Sequence, residues 1–237
     1  MIVNKVDAVR MLHLVQSVGQ TEVVIREDGS FGVTGIEGSS MLIGKGVSFG
    51  TEVGLLDISQ VLKILDTFTP LEVNVVVDKG FLVFTGGDIK YSCRLADVTL
   101  IDSLSPEQLT AEQQAGWVWT TGVLTIEEIL RIKKLIKSLG LGTVEFKSVN
   151  GVLNVVVGDK NYFYGELNMN TVQFEGHMAF ETANLEPVLS ALDDAKVTLN
   201  FGLRAKTDPN TQQTYKEGVL CISTQDCTWL IGSLQGQ

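Results

Sequence analysis

KGFLVFTGGD, residues 79–88, returns in altered form as EGVLCISTQD at residues 217–226. Glycine, leucine and aspartate are identical at 3 aligned positions, and most of the other positions keep their chemical character. One match of this length can arise by chance. Its weight therefore depends on whether the segments around it also recur in the same order.

The first half of the chain alternates helical and strand-like segments. Residues 6–18 carry apolar side chains near helical spacing, and Gly19 ends that helix. Asp28-Gly29 predicts a hairpin turn between two strands, and Asp57 has the chemistry of an N-cap for a second helix. The predicted helices and strands of this half lie at residues 6–18, 21–27, 30–35, 57–68, 71–77, 81–86 and 89–95.

The second half repeats this order. Thr125 and Glu128 form a capping-box pattern at the start of a helix that ends at Gly140. Asn150-Gly151 predicts a hairpin turn that corresponds to the turn in the first half. Pro187 is expected in the first turn of the fourth helix, where a missing N–H is tolerated. The predicted elements of this half lie at residues 125–140, 143–149, 152–158, 183–194, 196–206, 217–224 and 227–234.

The repetition indicates two copies of one α+β domain, each with two helices packed on antiparallel β-sheets. We place the domains at residues 1–102 and 123–237, joined by a connector at residues 103–122. The connector holds a polar run and the aromatic pair Trp117 and Trp119. Apolar residues within a polar stretch predict a segment that lies on the protein surface rather than a flexible tether.

Composition restricts the classes of function. The chain has 237 residues, with 28 acidic and 18 basic side chains and a formal net charge of −10. An acidic balance argues against coating of nucleic acid by the whole surface, but it leaves room for one basic face. No apolar run has the roughly 18 residues of a membrane span, and no signal peptide is evident. Three cysteines without a C-x-x-C pattern favour buried thiols in a reducing compartment, so we expect a cytoplasmic protein.

Positive charge is concentrated on the helix at residues 125–140. Arg131, Lys133, Lys134 and Lys137 lie within seven residues. Lys134 and Lys137 point opposite the apolar stripe, and Lys133 and Arg131 lie on its margins. One interpretation is structural, because cations near a helix C-terminus gain about 0.3–1 kcal/mol each from the macrodipole. The other is a phosphate-binding surface without sequence specificity. The repeat favours the second, although the fourth helix departs from the pattern because it carries Glu186, Asp193 and Asp194.

Several segments together resemble the DNA sliding clamps, most closely the processivity clamp of tailed bacteriophages, a relative of proliferating cell nuclear antigen. MIVNKVDAVRMLHLVQSV at the N-terminus is similar to the opening strand and helix of the phage clamp. DISQVLKIL is similar to its second helix, and LTIEEILRIKKLIKSL to the helix that opens its second domain. CTWLIGSL resembles the last strand of the eukaryotic clamps. The resemblance extends over nearly the whole chain, as a set of diffuse patterns.

The resemblance implies a homotrimeric head-to-tail ring around double-stranded DNA that tethers a DNA polymerase and is loaded by a clamp loader. Helices would line the hole, and sheets would form the outer wall. By position, the side chains that would face DNA are Lys5, Arg10, His13, Lys63, Arg131, Lys133, Lys134 and Lys137.

The resemblance also implies two protein-binding surfaces. A pocket for a partner peptide would be formed by Ile36, Met41, Leu104, Leu109, Trp229 and Ile231. Trp229 and Ile231 have an equally simple alternative, as core residues of a strand with alternating faces. The ring interface would pair residues 89–95 with residues 161–167 of the next copy, and its candidate side chains are Ile89, Tyr91, Cys93, Tyr162 and Tyr164.

Catalytic and cofactor sites find no support in the sequence. GSSMLIGKG, residues 38–46, lacks the spacing and the following helix of a phosphate-binding loop. His13 and His177 have no nearby cysteine, so no metal site is expected. We therefore expect neither an enzyme nor a bound cofactor. The competing hypothesis is a duplicated β-rich structural or scaffold protein that does not tether anything to DNA.

Overall fold

The computed structural model describes residues 1–35, 38–139, 142–150, 152–159, 163–170, 176–192, 196–207 and 210–234. Two compact units divide the chain, Met1–Leu109 and Thr110–Gln237. The first contains, in order, β1 (Ile2–Asn4), α1 (Lys5–Gln16), β2 (Val23–Ile25), β3 (Ser30–Thr34), β4 (Ser40–Lys45), β5 (Val53–Leu55), α2 (Ile58–Asp66), β6 (Glu72–Asp78), β7 (Phe81–Gly86) and β8 (Ile89–Arg94).

The second unit repeats the order of the first. After β8 come a 3-10 turn at Val98–Leu100 and the helix α3 (Pro106–Gln113), which crosses the boundary between the two units. The elements of the second unit that follow are β9 (Val118–Thr125), α4 (Ile126–Leu139), β10 (Thr143–Val149), β11 (Val152–Asp159), β12 (Phe163–Asn170), β13 (Gly176–Glu181), α5 (Thr182–Ala191), β14 (Lys196–Thr207), β15 (Thr214–Ser223) and β16 (Cys227–Gly232).

Strand pairing is also repeated. The first unit forms the antiparallel orders β1-β6-β7-β8 and β5-β2-β3-β4. The second forms β9-β14-β15-β16 and β13-β10-β11-β12, which are the same two orders shifted by eight strands. The α+β fold with two duplicated domains is therefore confirmed. The two matching decapeptides fall at equivalent places, since β7 and β15 are the third strands of equivalent sheets.

Side-chain caps fix the starts of three helices. Asn4 accepts the Val6 backbone N–H at 2.8 Å at the start of α1, and Asp57 accepts that of Gln60 at 2.9 Å at the start of α2. Thr125 and Glu128 form the predicted reciprocal box before α4. The Thr125 N–H donates to Glu128 Oε2 at 2.7 Å, and the Glu128 N–H donates to Thr125 Oγ1 at 3.3 Å.

Removal of the Thr125 cap should destabilise the second unit. We expect Thr125→Ala to lower the free energy of unfolding by about 1 kcal/mol, because an N–H at the start of α4 loses its partner. Urea unfolding followed by circular dichroism measures the change. Thr69→Ala, in an exposed loop, is the matched control and should stay within about 0.5 kcal/mol of the wild type. Equal stability of the two variants would show that the box contributes nothing.

The connector is more structured than the sequence analysis predicted. Ser105 and Gln108 form a second capping box, with donor–acceptor distances of 2.7 and 3.2 Å, and Pro106 occupies the first position of α3. The pattern SPEQ carries this signal, but the polar composition of the segment obscured it. Residues 118–122, which we had assigned to the connector, belong to β9, because they pair with β14 in the second unit.

Pro187 is not in the first turn of its helix. The helix α5 begins at Thr182, so Pro187 is its sixth residue and lies inside the helix. A proline at this position has no N–H to donate to the carbonyl of Ala183. The expectation of Pro187 in the first turn is wrong, because Glu181 provides no side-chain cap to mark the true start of α5, which is one residue earlier than predicted.

Each unit has its own apolar core between helices and sheets. In the first, Leu12 and Val15 of α1 are at most 1 % exposed. In the second, α4 packs on β11 and β12 through a buried isoleucine stripe. Gly165 of β12 makes this approach possible, because a Cβ there would lie 2.3 Å from Leu135 Cδ1. The core thus fixes which face of α4 points away from the unit.

Candidate nucleic-acid interface and partner surfaces

The cationic face of α4 points away from the core. Ile129, Ile132 and Ile136 are 0–2 % exposed and hold the opposite face of the helix against its unit. Because that face is anchored, the predicted cations lie on the outer side of the helix. Arg131, Lys134 and Lys137 are exposed, and Lys133 is half-buried. The structure therefore brings the four predicted cations of α4 onto one side of one helix.

These cations have no acidic partner within the part of the chain that the structure describes. Within the described ranges, none of the four side chains forms an ion pair or a side-chain hydrogen bond. Glu128, the nearest candidate along α4, is occupied by its cap to Thr125. The helix C-terminus stabilises positive charge by the macrodipole. The result is a compact surface with positive potential on a chain that is acidic overall.

The predicted cations of the first unit divide into two groups. His13 and Lys63 are exposed on α1 and α2, which contact each other through a hydrogen bond of 3.1 Å from Gln16 Nε2 to Ser59 Oγ. Lys5 is half-buried and donates from Nζ to the backbone carbonyl of Phe68 at 2.8 Å. Arg10 is also half-buried. On the outer faces of α1 and α2, Lys63 and His13 are therefore the predicted DNA-facing side chains that are exposed.

The acidic fourth helix contributes little exposed charge within the described ranges. Glu186 of α5 is half-buried and accepts a hydrogen bond from Ser190 Oγ at 2.9 Å. Asp193 and Asp194, which we had counted on the same helix, lie outside the described residues.

Most side chains of the predicted peptide pocket are buried. Trp229 is 1 % exposed and Ile231 is 0 % exposed, which agrees with their alternative role as core residues of β16. Leu104 and Leu109 are 5 and 6 % exposed. Met41 is half-buried. Ile36 lies outside the described residues.

An open pocket of about 290 Å³ lies elsewhere in the second unit. Its walls are Gln113, Trp119, Asn200 and Cys221, from the end of α3 and from β9, β14 and β15. The Trp119 indole N–H donates to the Gln113 carbonyl at 2.9 Å, and Gln113 Nε2 lies 3.5 Å from Cys221 Sγ. Sequence analysis missed this pocket because its residues come from four separate elements.

Arg204 attaches the end of α3 to the sheet of the second unit. Its guanidinium lies 4.0 Å from the centre of the Trp117 ring. Its Nε donates to Glu217 Oε2 at 2.8 Å, and its Nη1 lies 3.3 Å from Glu112 Oε1. Trp117 in turn donates from its indole N–H to the Glu112 carbonyl at 2.8 Å. We call Arg204, Trp117, Glu112 and Glu217 the linker latch.

The linker latch should weaken in acid. Burial alone would raise the pKa of Glu217, but the hydrogen bond and charge of Arg204 outweigh it and hold this pKa below 4.5, its ordinary value. Because the folded-state pKa is lowered, the stabilisation is complete above the unfolded-state pKa and is lost as the pH falls through the folded value. We expect the stability advantage of wild type over Glu217→Gln to shrink below pH 4.5.

Urea unfolding of both proteins across this pH range measures that advantage. Glu52→Gln, at an exposed position, is the matched control and should show a smaller dependence. An advantage over Glu217→Gln that stays constant with pH would contradict the assignment of the ion pair to Glu217.

The two predicted interface strands lie at the ends of their sheets. The strand β8 ends the order β1-β6-β7-β8, and β12 ends the order β13-β10-β11-β12. On β8, Ile89 and Tyr91 are 37 and 38 % exposed although they lie on the core face, beside the buried Leu82 and Phe84. Tyr162 lies outside the described residues.

The other predicted interface residues are Cys93 and Tyr164. The Cys93 thiol is half-buried on β8, where burial, followed by the charge of Asp57, raises its pKa. It is therefore mostly protonated at neutral pH. Tyr164 lies in β12, paired with Gly158 of β11.

Membrane-spanning helices and metal-ion clusters are both absent from the described part of the chain. No helix there is long and apolar enough to cross a membrane. No group of three or more histidine, cysteine, aspartate or glutamate side chains in those ranges is placed to hold a metal ion.

Several solved structures share this architecture. The DNA polymerase III beta subunit of Thermotoga maritima aligns with a TM-score of 0.72 at 10 % identity, covering 100 % of this chain and 64 % of that one. The fold is that of the sliding clamps. The beta subunit of Pseudomonas aeruginosa aligns with a TM-score of 0.68 at 10 % identity over 100 and 65 % of the two chains.

A chain of an archaeal clamp complex is closer to this chain in length than the bacterial beta subunits are. The PCNA2–PCNA3 complex of Sulfolobus tokodaii aligns with a TM-score of 0.69 at 10 % identity, over 98 % of this chain and 99 % of that one. The chain thus spans less than two-thirds of the bacterial beta subunits but the whole of an archaeal clamp chain. Searches of family models and of curated proteins gave no match. At these identities the likeness establishes the clamp fold, and function has to be argued from the surface.

Proposed function

We propose that the protein is a DNA polymerase sliding clamp, a homotrimeric ring that encircles duplex DNA and tethers the replicative polymerase. The observation that carries the proposal is the cationic face of α4, which has no ion pair among the described residues and is presented outward by a clamp-type domain. Cations that contact phosphates bind DNA without regard to sequence and allow sliding. That is the binding required of a tether that must move with a polymerase.

The DNA-facing surface would combine side chains of both units. Arg131, Lys134 and Lys137 would contribute most because they are exposed and unpaired within the described residues, with Lys133 at the margin. Lys63 would add charge from the first unit, and His13 would add an exposed polar side chain. Lys5 and Arg10 would contribute less, because both side chains are half-buried.

Ring closure would use the strands at the sheet ends. The edge of β8 would pair with β12 of the next copy, which would bury Ile89 and Tyr91 and satisfy the backbone groups of both strands. Two clamp-type units in each chain make three chains the stoichiometry for six units around the duplex. The assembly would have about three times the 25.8 kDa mass of the chain.

The protein partners in this proposal are a DNA polymerase and a clamp loader. The clamp itself would carry out no chemical step, and it would need no cofactor. Its contribution would be topological, because a closed ring cannot leave a circular duplex without opening.

Retention on circular DNA tests the proposal directly. Purified protein is incubated at low salt with a linearised plasmid, onto whose ends a closed ring can thread. The plasmid is then closed with ligase, moved to high salt and separated by gel filtration. We expect protein to stay with the circle and to be released when the plasmid is cut once. Equal behaviour on circular and linear DNA, or a single-chain mass by light scattering with no retention under any loading condition, would overturn the proposal.

A further inference from the structure

The outer face of the first unit's sheet carries an exposed apolar patch. Ile2 is 68 % exposed, Val76 48 % and Phe81 41 %, and Val83 is half-buried. We call these four side chains the outer patch. Val76 and Val83 are direct cross-strand partners, Phe81 is two residues from Val83 on β7, and Ile2 pairs with Asn74, two residues from Val76. Such neighbours form one contiguous surface.

The internal repeat supplies the matching surface in the second unit. The aligned decapeptides make Phe81 equivalent to Val219 and Val83 equivalent to Cys221. The strand registers agree, because Val76 pairs with Val83 as Asn200 pairs with Cys221. Each pair therefore occupies the same place in equivalent sheets.

Burial differs sharply between the two equivalent surfaces. Val219 is 6 % exposed and Cys221 is 3 % exposed, against 41 % for Phe81. The cover in the second unit comes from the end of α3 and from Trp119. Trp119 and Val219 flank Gly202, each 2.8 Å from the place a Cβ would take there, and Gln113 reaches Cys221.

The cover in the second unit also has a charge pattern. Glu112 of α3 binds Arg204, which stands on the same outer face of its sheet. On the first unit, Lys90 and Arg94 of β8 stand on the face of the outer patch, opposite Thr85 and Phe81. Neither cation forms an ion pair within the described part of the chain. Both are exposed.

We propose that the outer patch binds a short acidic, amphipathic helix of a partner protein. Apolar side chains of that helix would cover Phe81, Val76 and Val83, as the end of α3 and Trp119 cover Val219 and Cys221. Its carboxylates would bind Lys90 and Arg94, as Glu112 binds Arg204. An apolar centre with charged groups at its rim is the usual composition of a protein interface. The proposal depends neither on ring formation nor on DNA binding.

Selection from a displayed library of random 16-residue peptides on the intact protein tests the proposal. We expect the selected peptides to combine aromatic or aliphatic residues with acidic ones. Their affinity should fall about tenfold or more with Phe81→Ser plus Val76→Thr, because central apolar anchors dominate such interfaces. Val118→Thr, at a strand valine that is 73 % exposed outside the patch, should leave affinity unchanged.

A second variant tests the charge pattern. Lys90→Glu plus Arg94→Glu changes only exposed side chains, so it is informative even if the Phe81 variant folds poorly. It should also weaken the acidic peptides about tenfold.

Three outcomes would overturn the proposal. One is no enriched peptide, and another is peptides that bind the Phe81 variant as well as the wild type. The third is a lower assembly mass for the Phe81 variant by light scattering, because it would show that a second copy of the chain occupies the patch. Retention on circular DNA, measured in parallel, reports on the clamp function separately.

Discussion

Lys134→Glu plus Lys137→Glu is expected to abolish retention on circular DNA at salt concentrations that the wild type withstands. In a ring of three chains the variant reverses six charges on the surface proposed to face the duplex. Each phosphate contact contributes about 0.9 to the slope of log affinity against log salt. The slope should therefore fall by up to about 5, and affinity at moderate salt should fall at least tenfold.

The fold should survive this change. Both side chains are exposed, and neither contributes to the buried isoleucine stripe that holds α4 on its unit. Lys137 lies in the last turn of α4, and the loss of its favourable interaction with the helix C-terminus should cost about 0.3–1 kcal/mol. Circular dichroism and urea unfolding measure that cost independently of DNA binding.

Lys45→Glu plus Lys216→Glu is the matched control for charge. It produces the same net charge on exposed strand residues rather than on a helix. A general effect of acidity would weaken DNA binding equally in both double variants. If the α4 variant kept its retention and its salt slope, the cations of α4 would have only their structural role at the end of the helix.

Ile89→Asp should convert the assembly into single chains. Ile89 lies on the core face of β8 at the end of its sheet, and it is 37 % exposed in the isolated chain. A carboxylate on the core-facing side of an edge strand blocks pairing with another strand, because closure would bury its charge. We expect the solution mass to fall about threefold at micromolar concentration and retention on circular DNA to disappear.

Leu71→Asp is the control for this prediction. Leu71 is 62 % exposed and lies just before β6, next to α1, at the opposite side of the sheet from β8. Its replacement introduces the same charge but should leave the mass unchanged. A wild-type mass retained by Ile89→Asp would exclude β8 as the subunit contact, even if the protein proved to be a ring.

The repeat explains how much of this architecture could be predicted. Helix starts at Asp57 and Thr125 and the turn at Gly29 depend on residues a few positions apart, and the structure contains all of them. The α3 box at Ser105 is equally local and was missed only because its surroundings are polar. The predicted cations of α4 were found because apolar periodicity alone identifies the outward face of a helix.

The candidate site could be predicted only in part. Lys5 is a cation near the start of α1, but its ammonium group reaches the carbonyl of Phe68, which is distant in sequence. Trp229 and Ile231 share one face of β16, but Leu230 between them is buried as well, so both faces of this strand are covered. Which segments cover each face depends on parts of the chain that are distant in sequence. The linker latch joins Glu112 to Arg204 and Glu217, which are distant from it in sequence, so no short motif could predict these contacts.

Sequence alone determined the duplicated α+β organisation, the helix caps at Asp57 and Thr125, the hairpin turns and the cationic face of α4, because each rests on interactions between near neighbours in the chain. Only the tertiary structure decided that β9 pairs with β14 in the second unit. It also decided that Phe81 is exposed, whereas its equivalent Val219 is covered. The physical reason is that burial depends on what packs above a residue. Two segments with nearly the same pattern therefore acquire different surfaces once one of them receives α3 and Trp119.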